Sequence, residues 1–261
     1  MNLKTLLATG FLMVLALPAF AASSVTAEGS TSMEHLIGLL GEAYEEQQGV
    51  TVNYNPTGSG AGISAVAEGR CDLGLSSREL KEEEKAQGLT AHVLAYDGIA
   101  VIVNPANPLT NLSMAQVADL FIGKIDDWND LGWEGPVVVL GREAGSGTRD
   151  GFESIAQVKD LAKYRQVLSS TGDVVATVAS NKAAIGYVSL AALNDQVKAL
   201  HIDEVAPTKD AVKSGEYKMQ RPFIAVTGKK ELTPEAQSFL DFATSDAASP
   251  LCDMAGLVSP H

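Results

Sequence analysis

A chain of 261 residues with a formal charge of −13 is a poor partner for nucleic acid or for anionic lipid, because both reward a surplus of lysine and arginine. Its 46% hydrophobic and 20% charged residues are those of an ordinary globular protein, long enough for two modest lobes or one large domain. The same negative balance disfavours an anionic ligand unless local dipoles hold it.

The chain begins with a targeting pattern. Lys4 supplies a positive start, Leu6 to Leu17 are apolar apart from Thr9 and Gly10, Pro18 ends the run, and Ala19-Phe20-Ala21 forms an A-x-A cleavage signal. About a dozen apolar residues fall short of the ~20 that span a bilayer. Residues 1–21 therefore read as a cleavable signal peptide, and the mature chain is expected to start near Ala22 as a soluble, exported protein. No cysteine lies near the cleavage site to accept a lipid.

Strand and helix patterns then alternate. Met33 to Gln48 carries Leu36, Ile37, Leu40 and Tyr44 on one helical face. Val50 to Tyr54 (VTVNY) is a β-branched, alternating strand, and Leu73-Gly74-Leu75 is a second, shorter candidate. His92 to Asn104 holds one or two strands ending at Pro105. Met114 to Phe121 places Val117, Leu120 and Phe121 on one helical face. Pro136 to Leu140 (PVVVL) is a buried strand of the parallel type. Ala184 to Val188 and Pro222 to Val226 are further strands, and a helix with Phe239, Leu240 and Phe242 starts at Thr233-Pro234. This alternation predicts an α/β fold with largely parallel sheets.

Three turns share one design. Gly29-Ser30-Thr31-Ser32 opens the first helix. Gly58-Ser59-Gly60-Ala61-Gly62 follows the VTVNY strand and opens a helix through Ile63 to Glu68. Gly145-Ser146-Gly147-Thr148 follows the PVVVL strand and opens a helix through Phe152. Helix N-termini present unpaired N–H groups and about half a positive charge. Glycine lets the backbone approach a ligand, and hydroxyls rotate to donate further bonds. In open α/β folds such loops gather outside the carboxyl ends of the strands. None fits the G-x-x-x-x-G-K-[ST] or G-x-G-x-x-G patterns, so a small free anion is favoured over a nucleotide. Taken alone, Thr31-x-x-Glu34 also reads as a capping box.

Arginines add charge near these turns. Arg142 directly follows a buried strand and is expected to point inward, where its fork can bond a tetrahedral oxyanion through two N–H groups. Arg149 opens a helix against the dipole and is expected to turn to solvent or a carboxylate. Arg78, in Ser76-Ser77-Arg78, follows a short strand and could reach the same place. Charge-assisted bonds return roughly 1.5–3 kcal/mol each, so desolvating a dianion calls for on the order of ten donors, which three loops and one arginine can supply. The four histidines (His35, His92, His201, His261) are scattered, with no pair at metal-ligand spacing, and neither a metal nor another cofactor is expected. Cys71 and Cys252, in an exported chain, invite a disulfide, with two buried free thiols as the alternative.

Arg142-Glu143-Ala144-Gly145-Ser146-Gly147-Thr148-Arg149 resembles the signature of the phosphate-binding proteins of ABC transporters. Gly29 to Ser32, Asp72 to Leu80, Asp97 to Pro105, Phe121 to Trp128 and Ala184 to Val188 are similar to other blocks of that family, in order from about Val25 to Asp246. The resemblance implies a two-lobe periplasmic-binding-protein fold of type II, closing on phosphate about hinge strands near Ile99–Asn104 and Phe223–Thr227. Lobe 1 would comprise residues 22–101 and 225–261, and lobe 2 residues 102–224. Cys71 and Cys252 would then share a lobe, which favours their pairing. The implied phosphate contacts are Ser30, Thr31, Ser32 and Ser59 from one lobe and Arg142, Ser146, Gly147 and Thr148 from the other. Longer members carry, where Ser77 stands here, an aspartate that accepts the proton of hydrogen phosphate and so rejects sulfate. Ser77 with Arg78 takes that place in shorter relatives, and Glu143 or a backbone carbonyl is left as acceptor.

The implied partners are inorganic phosphate and the permease subunits of an inner-membrane ABC transporter, served by a periplasmic monomer. Two other readings compete. Sulfate, molybdate or tungstate could replace phosphate. A phosphatase or serine hydrolase finds no G-x-S-x-G elbow at Ser146 and no metal cluster, so an enzyme is not expected.

Overall fold

The computed structural model describes residues 23–261. The signal-peptide reading of residues 1–21 lies outside the described residues. Strands and helices follow in chain order as β1 (Ser24–Gly29), α1 (Glu34–Gln48), β2 (Thr51–Pro56), α2 (Ser59–Ala67), β3 (Leu73–Ser76), α3 (Glu82–Ala86), β4 (Thr90–Val103), β5 (Asn111–Leu112), α4 (Met114–Phe121) and β6 (Val138–Arg142). They continue with α5 (Gly147–Ile155), β7 (Gln166–Leu168), α6 (Thr171–Ser180), β8 (Ala184–Ser189), β9 (Lys198–Ala199), β10 (His201–Ile202), α7 (Lys209–Ser214), β11 (Gln220–Thr227), α8 (Pro234–Ala243) and α9 (Ser249–Met254).

Hydrophobic periodicity accounts for most of these elements. Leu36, Ile37, Leu40 and Tyr44 of α1 are all buried, each stabilising the fold by roughly 1.5–3 kcal/mol through loss of apolar surface to water. In α4 the buried set is Val117, Leu120 and Phe121, and a Ser113–Gln116 capping box starts that helix. His92 to Asn104 resolves into one long strand, β4, whose second half is buried without alternation because both of its faces are covered.

The nine-stranded sheet has the order β2-β1-β3-β11-β4-β8-β6-β7, with β9 also on β4. It is mixed rather than largely parallel. The pairs β1–β2, β1–β3, β6–β7 and β6–β8 are parallel, whereas β11 runs antiparallel to β3 and β4, and β4 antiparallel to β8. The antiparallel pairs all involve β4 or β11, the strands that join the two halves. β4 pairs with β11 over Thr90–Gly98 and with β8 over Ile99–Val103, so its partner changes between Gly98 and Ile99.

Each half has cores on both faces of its sheet. In the first half, α1, α8 and α9 cover one face with Leu36, Leu40, Phe239 and Cys252, and α2 covers the other with Ile63 and Val66. In the second, α4, α5 and Trp128 lie on one side and α6 on the other. The first half and the C-terminal helices form one lobe, and the second half forms the other.

The expected disulfide is absent. Cys71 and Cys252 are buried free thiols, and burial pushes both up to about 11. They do fall in one lobe, but on opposite faces of its sheet. Cys71 packs with Ile224 and Val226 of β11, and Cys252 with the core containing Phe223 and Ala225. Successive strand residues face opposite ways, so the sheet itself separates the two sulfurs.

Candidate anion-binding cleft

The hydroxyl-rich turns sit at the carboxyl ends of the parallel strands and converge between the lobes. Ser30 to Ser32 follow β1, Ser77 follows β3, and Ser59 opens α2 after β2. Ser146 to Thr148 follow β6. Gly62 permits this approach, because a Cβ there would lie 2.2 Å from Glu28 O, and α2 could not then pack against the end of β1. Tyr54 pins the first turn by donating its hydroxyl to the carbonyl of Ser30.

The side chains meet in a closed, buried cluster. Ser59 and Ser77 are 0% exposed, and Arg142, Ser146 and Thr148 are 1% exposed. Ser30 Oγ donates to Ser77 Oγ at 2.8 Å, and Ser59 Oγ accepts from Ser77 N–H at 3.1 Å. Across the cleft, Ser32 Oγ lies 2.8 Å from Thr148 Oγ1, and Thr31 Oγ1 lies 3.1 Å from Thr171 Oγ1. Gly60 N–H donates to Gly145 O at 2.9 Å, joining the second and third turns through their backbones. Hydroxyl protons rotate, so a cluster bonded to itself can turn its donors toward an anion between the lobes.

Arg142 is the cation at the centre. Its Nη1 donates to Thr171 Oγ1 and its Nη2 to Thr31 Oγ1, each at 3.1 Å, so it spans both lobes. Its Nε and Nη2 also hold Glu143 Oε2 and Oε1 at 2.9 Å. Behind it, the Arg142 backbone N–H donates to Tyr187 Oη at 3.2 Å, and burial pushes that phenol up to about 12. The inward arginine expected after β6 is therefore observed.

α5 contributes backbone donors. Ser146 is its N-cap, and its Oγ accepts from Arg149 N–H at 3.3 Å. The N–H groups of Gly147 and Thr148, in the first turn, have no intrahelical acceptor and lie at the positive end of the helix dipole. Gly147 is obligatory there, since a Cβ would come within 2.4 Å of Ser59 Oγ and 2.6 Å of Ser77 Oγ.

Two arginines lie elsewhere. Arg78 does not join the cluster. Its Nη1 and Nη2 donate to Glu84 Oε2 and Oε1 at 2.8 Å, and its Nε lies 3.0 Å from Asp150 of the opposite lobe, an ion pair without hydrogen-bond alignment. The acidic start of α3 claims the guanidinium. Arg149 turns to Glu153 at 2.7 Å and over the Tyr164 ring, consistent with a cation that opposes its own helix dipole.

The sequence reading missed Thr171 and the pair Asp97–Arg221. Thr171 belongs to a fourth turn of the same kind, Ser169-Ser170-Thr171-Gly172, which follows β7 and opens α6. A hydroxyl-rich turn with Ser170 as N-cap was legible there, but its strand is only three residues long. Arg221 Nη1 donates to Ser77 Oγ at 3.1 Å.

The family model of the PBP superfamily domain matches residues 16–247. The phosphate-binding protein PstS of Bacillus subtilis is 34% identical over 233 residues, covering 87% of this chain and 77% of that protein. This chain belongs to the PstS family of the PBP superfamily. Among solved structures, a substrate-binding protein from Clostridium perfringens, ascribed to a phosphate ABC transporter and carrying bound phosphate, superposes with a TM-score of 0.89 at 37% identity. The match covers 92% of this chain and all of that one (100%). An ABC-type phosphate transport receptor from Vibrio cholerae superposes with a TM-score of 0.74 at 32% identity, covering 91% and 100%. The two-lobe fold expected from the resemblance is the fold of these PstS relatives.

Proposed function

We propose that this PstS-family chain binds inorganic phosphate between its lobes and delivers it to an ABC-type membrane transporter. The observation that carries the reading is the buried cluster in which Arg142 and hydroxyls from both lobes meet at the start of α5. Ser30, Thr31, Ser32, Ser59, Arg142, Ser146, Gly147 and Thr148 are its proposed ligand contacts, joined by Thr171. Arg78 is withdrawn from that set, because Glu84 holds both ends of its fork. Ser77 bonds to Ser30 and Ser59 within the cluster. Glu143 keeps a lone pair on each oxygen for a proton carried by the ligand.

Strand pairing supports a lobe division slightly earlier than residues 101/102 and 224/225, at Gly98/Ile99 and Met219/Gln220. Export by residues 1–21 to the periplasm, action as a monomer and absence of catalysis are parts of the same proposal.

The negative total charge does not oppose it. Arg142 is balanced by Glu143 and Arg221 by Asp97, so the site offers dipoles and donors rather than net charge. The proposal is tested by a thermal-shift screen of phosphate, sulfate, molybdate and tungstate. A ligand binding only the folded state at 100 times its Kd stabilises by about 2.7 kcal/mol, which moves the midpoint measurably. Phosphate is expected to raise it most. Stabilisation by sulfate or molybdate without phosphate would sink the proposal, and release of phosphate from a chromogenic ester would reopen an enzymatic role.

A further inference from the structure

A buried ion pair lies where the lobes join. Arg221 on β11 is 5% exposed and Asp97 on β4 is 1% exposed. Arg221 Nε and Nη2 both donate to Asp97 Oδ2, at 3.0 and 2.9 Å. Asp97 Oδ1 accepts from the Ser189 hydroxyl at 2.8 Å and from Leu190 N–H at 3.2 Å, groups of the second lobe. The guanidinium also lies over the Phe223 ring, 5.3 Å from its centroid. These contacts fix its plane, and Nη1 reaches Ser77 Oγ. Burying two charges this deeply costs as much as their attraction returns, so a well-packed apolar pair would stabilise the hinge at least as well. Stability alone is therefore no account of the pair.

The remaining contact of Arg221 is with Ser77. A hydroxyl oxygen has two lone pairs and one proton. Arg221 Nη1–H occupies one lone pair and Ser30 Oγ–H the other. The Ser77 proton can then only be donated, toward Ser59 Oγ at 3.3 Å in the closed cluster or toward an anion taking that place. Burial pushes Arg221 down, Asp97 opposes this, and Arg142 adds to the downward pressure.

We propose that Arg221, seated on Asp97, is a ligand-positioning residue of the anion site, which holds the Ser77 hydroxyl as a donor facing the cleft and ties it to the hinge. This rests on the anion-binding reading above. Removing Arg221 alone would strand a buried carboxylate, so the informative variant is Asp97→Asn/Arg221→Met, which removes both charges and keeps an acceptor for Ser189 and Leu190. Phosphate titration calorimetry is run on the parent, Ser77→Ala, the double variant and the triple variant.

Ser77→Ala and the double variant are each expected to weaken phosphate roughly tenfold or more, the loss of one oriented donor. The triple variant is expected to be no weaker than the double by more than about threefold, because both changes remove the same donor. A merely structural hinge pair predicts losses that multiply. Multiplying losses, or a double variant that binds like the parent, overturn the proposal. If the double variant does not fold, Arg221→Lys with and without Ser77→Ala is read by the same criterion, since an ammonium keeps the charge but lacks the planar fork. Binding by the parent is a separate result, and its failure would overturn the phosphate reading rather than the role of Arg221.

Discussion

Arg142→Ala removes the guanidinium that spans the closed cleft. Its Nη1 and Nη2 point at Thr171 and Thr31 at 3.1 Å, the two hydroxyls an anion between the lobes would displace. Two charge-assisted hydrogen bonds at about 1.5–3 kcal/mol each make roughly 3–6 kcal/mol. At 1.4 kcal/mol per factor of ten, phosphate affinity should fall about 10²- to 10⁴-fold. The variant also frees Glu143, whose carboxylate now repels the ligand. Its side chain is 28% exposed, so water and salt screen part of that repulsion. Adding Glu143→Gln should therefore recover up to about tenfold, and no more, because the missing donors stay missing while the Gln carbonyl still accepts the ligand's proton. Titration calorimetry at fixed ionic strength measures both variants, with circular dichroism to confirm folding. A folded Arg142→Ala protein whose Kd stays within threefold of the parent would refute the placement of the ligand.

Gly147→Ala should abolish tight closure, because its Cβ meets Ser59 and Ser77 oxygens at 2.4 and 2.6 Å while its backbone stays in an ordinary helical region. Solution scattering with phosphate should show no compaction, and compaction equal to the parent's would contradict the packing. Thiol titration in denaturant without reductant should count two free cysteines, and reductant should leave the melting temperature unchanged. A count of zero would restore the disulfide. Burial opposes the ionisation of Glu84, but Arg78 and the Lys81 N–H outweigh it and hold the carboxyl below the usual range. Its contribution is complete above the unfolded value of about 4.3 and is lost as pH falls through the folded value. Glu84→Gln should thus flatten the loss of melting temperature below about pH 4, and an unchanged slope would argue against the Arg78 pairing.

Local signals carried much of the fold. α1, α4 and α8 are legible because their apolar faces repeat at helical spacing and capping residues begin α4 and α8. The turns at Ser30, Ser59 and Ser146 are legible because small residues and hydroxyls cluster between strand and helix patterns, and the structure brings all three together. What sequence could not supply is long-range. Thr171 sits in a turn of the same kind, but β7 is too short for periodicity to announce it. Arg78 follows its strand as Arg142 does, yet its partner is chosen by Glu84 folding back from α3. Cys71 and Cys252 share a lobe, and only the side of the sheet each occupies keeps them apart. The mixed sheet has the same origin, since β4 and β11 read as ordinary strands and their direction is set by the crossing between lobes.

Phosphate binding in the cleft is tested most directly by calorimetric titration of the mature chain with phosphate and with sulfate at pH 6 and pH 8. One phosphate per chain is expected at both pH values, with binding lost or greatly weakened in Arg142→Ala and Ser59→Ala. No heat from phosphate, or phosphate binding undiminished in both variants, would contradict it and move the site out of the cleft.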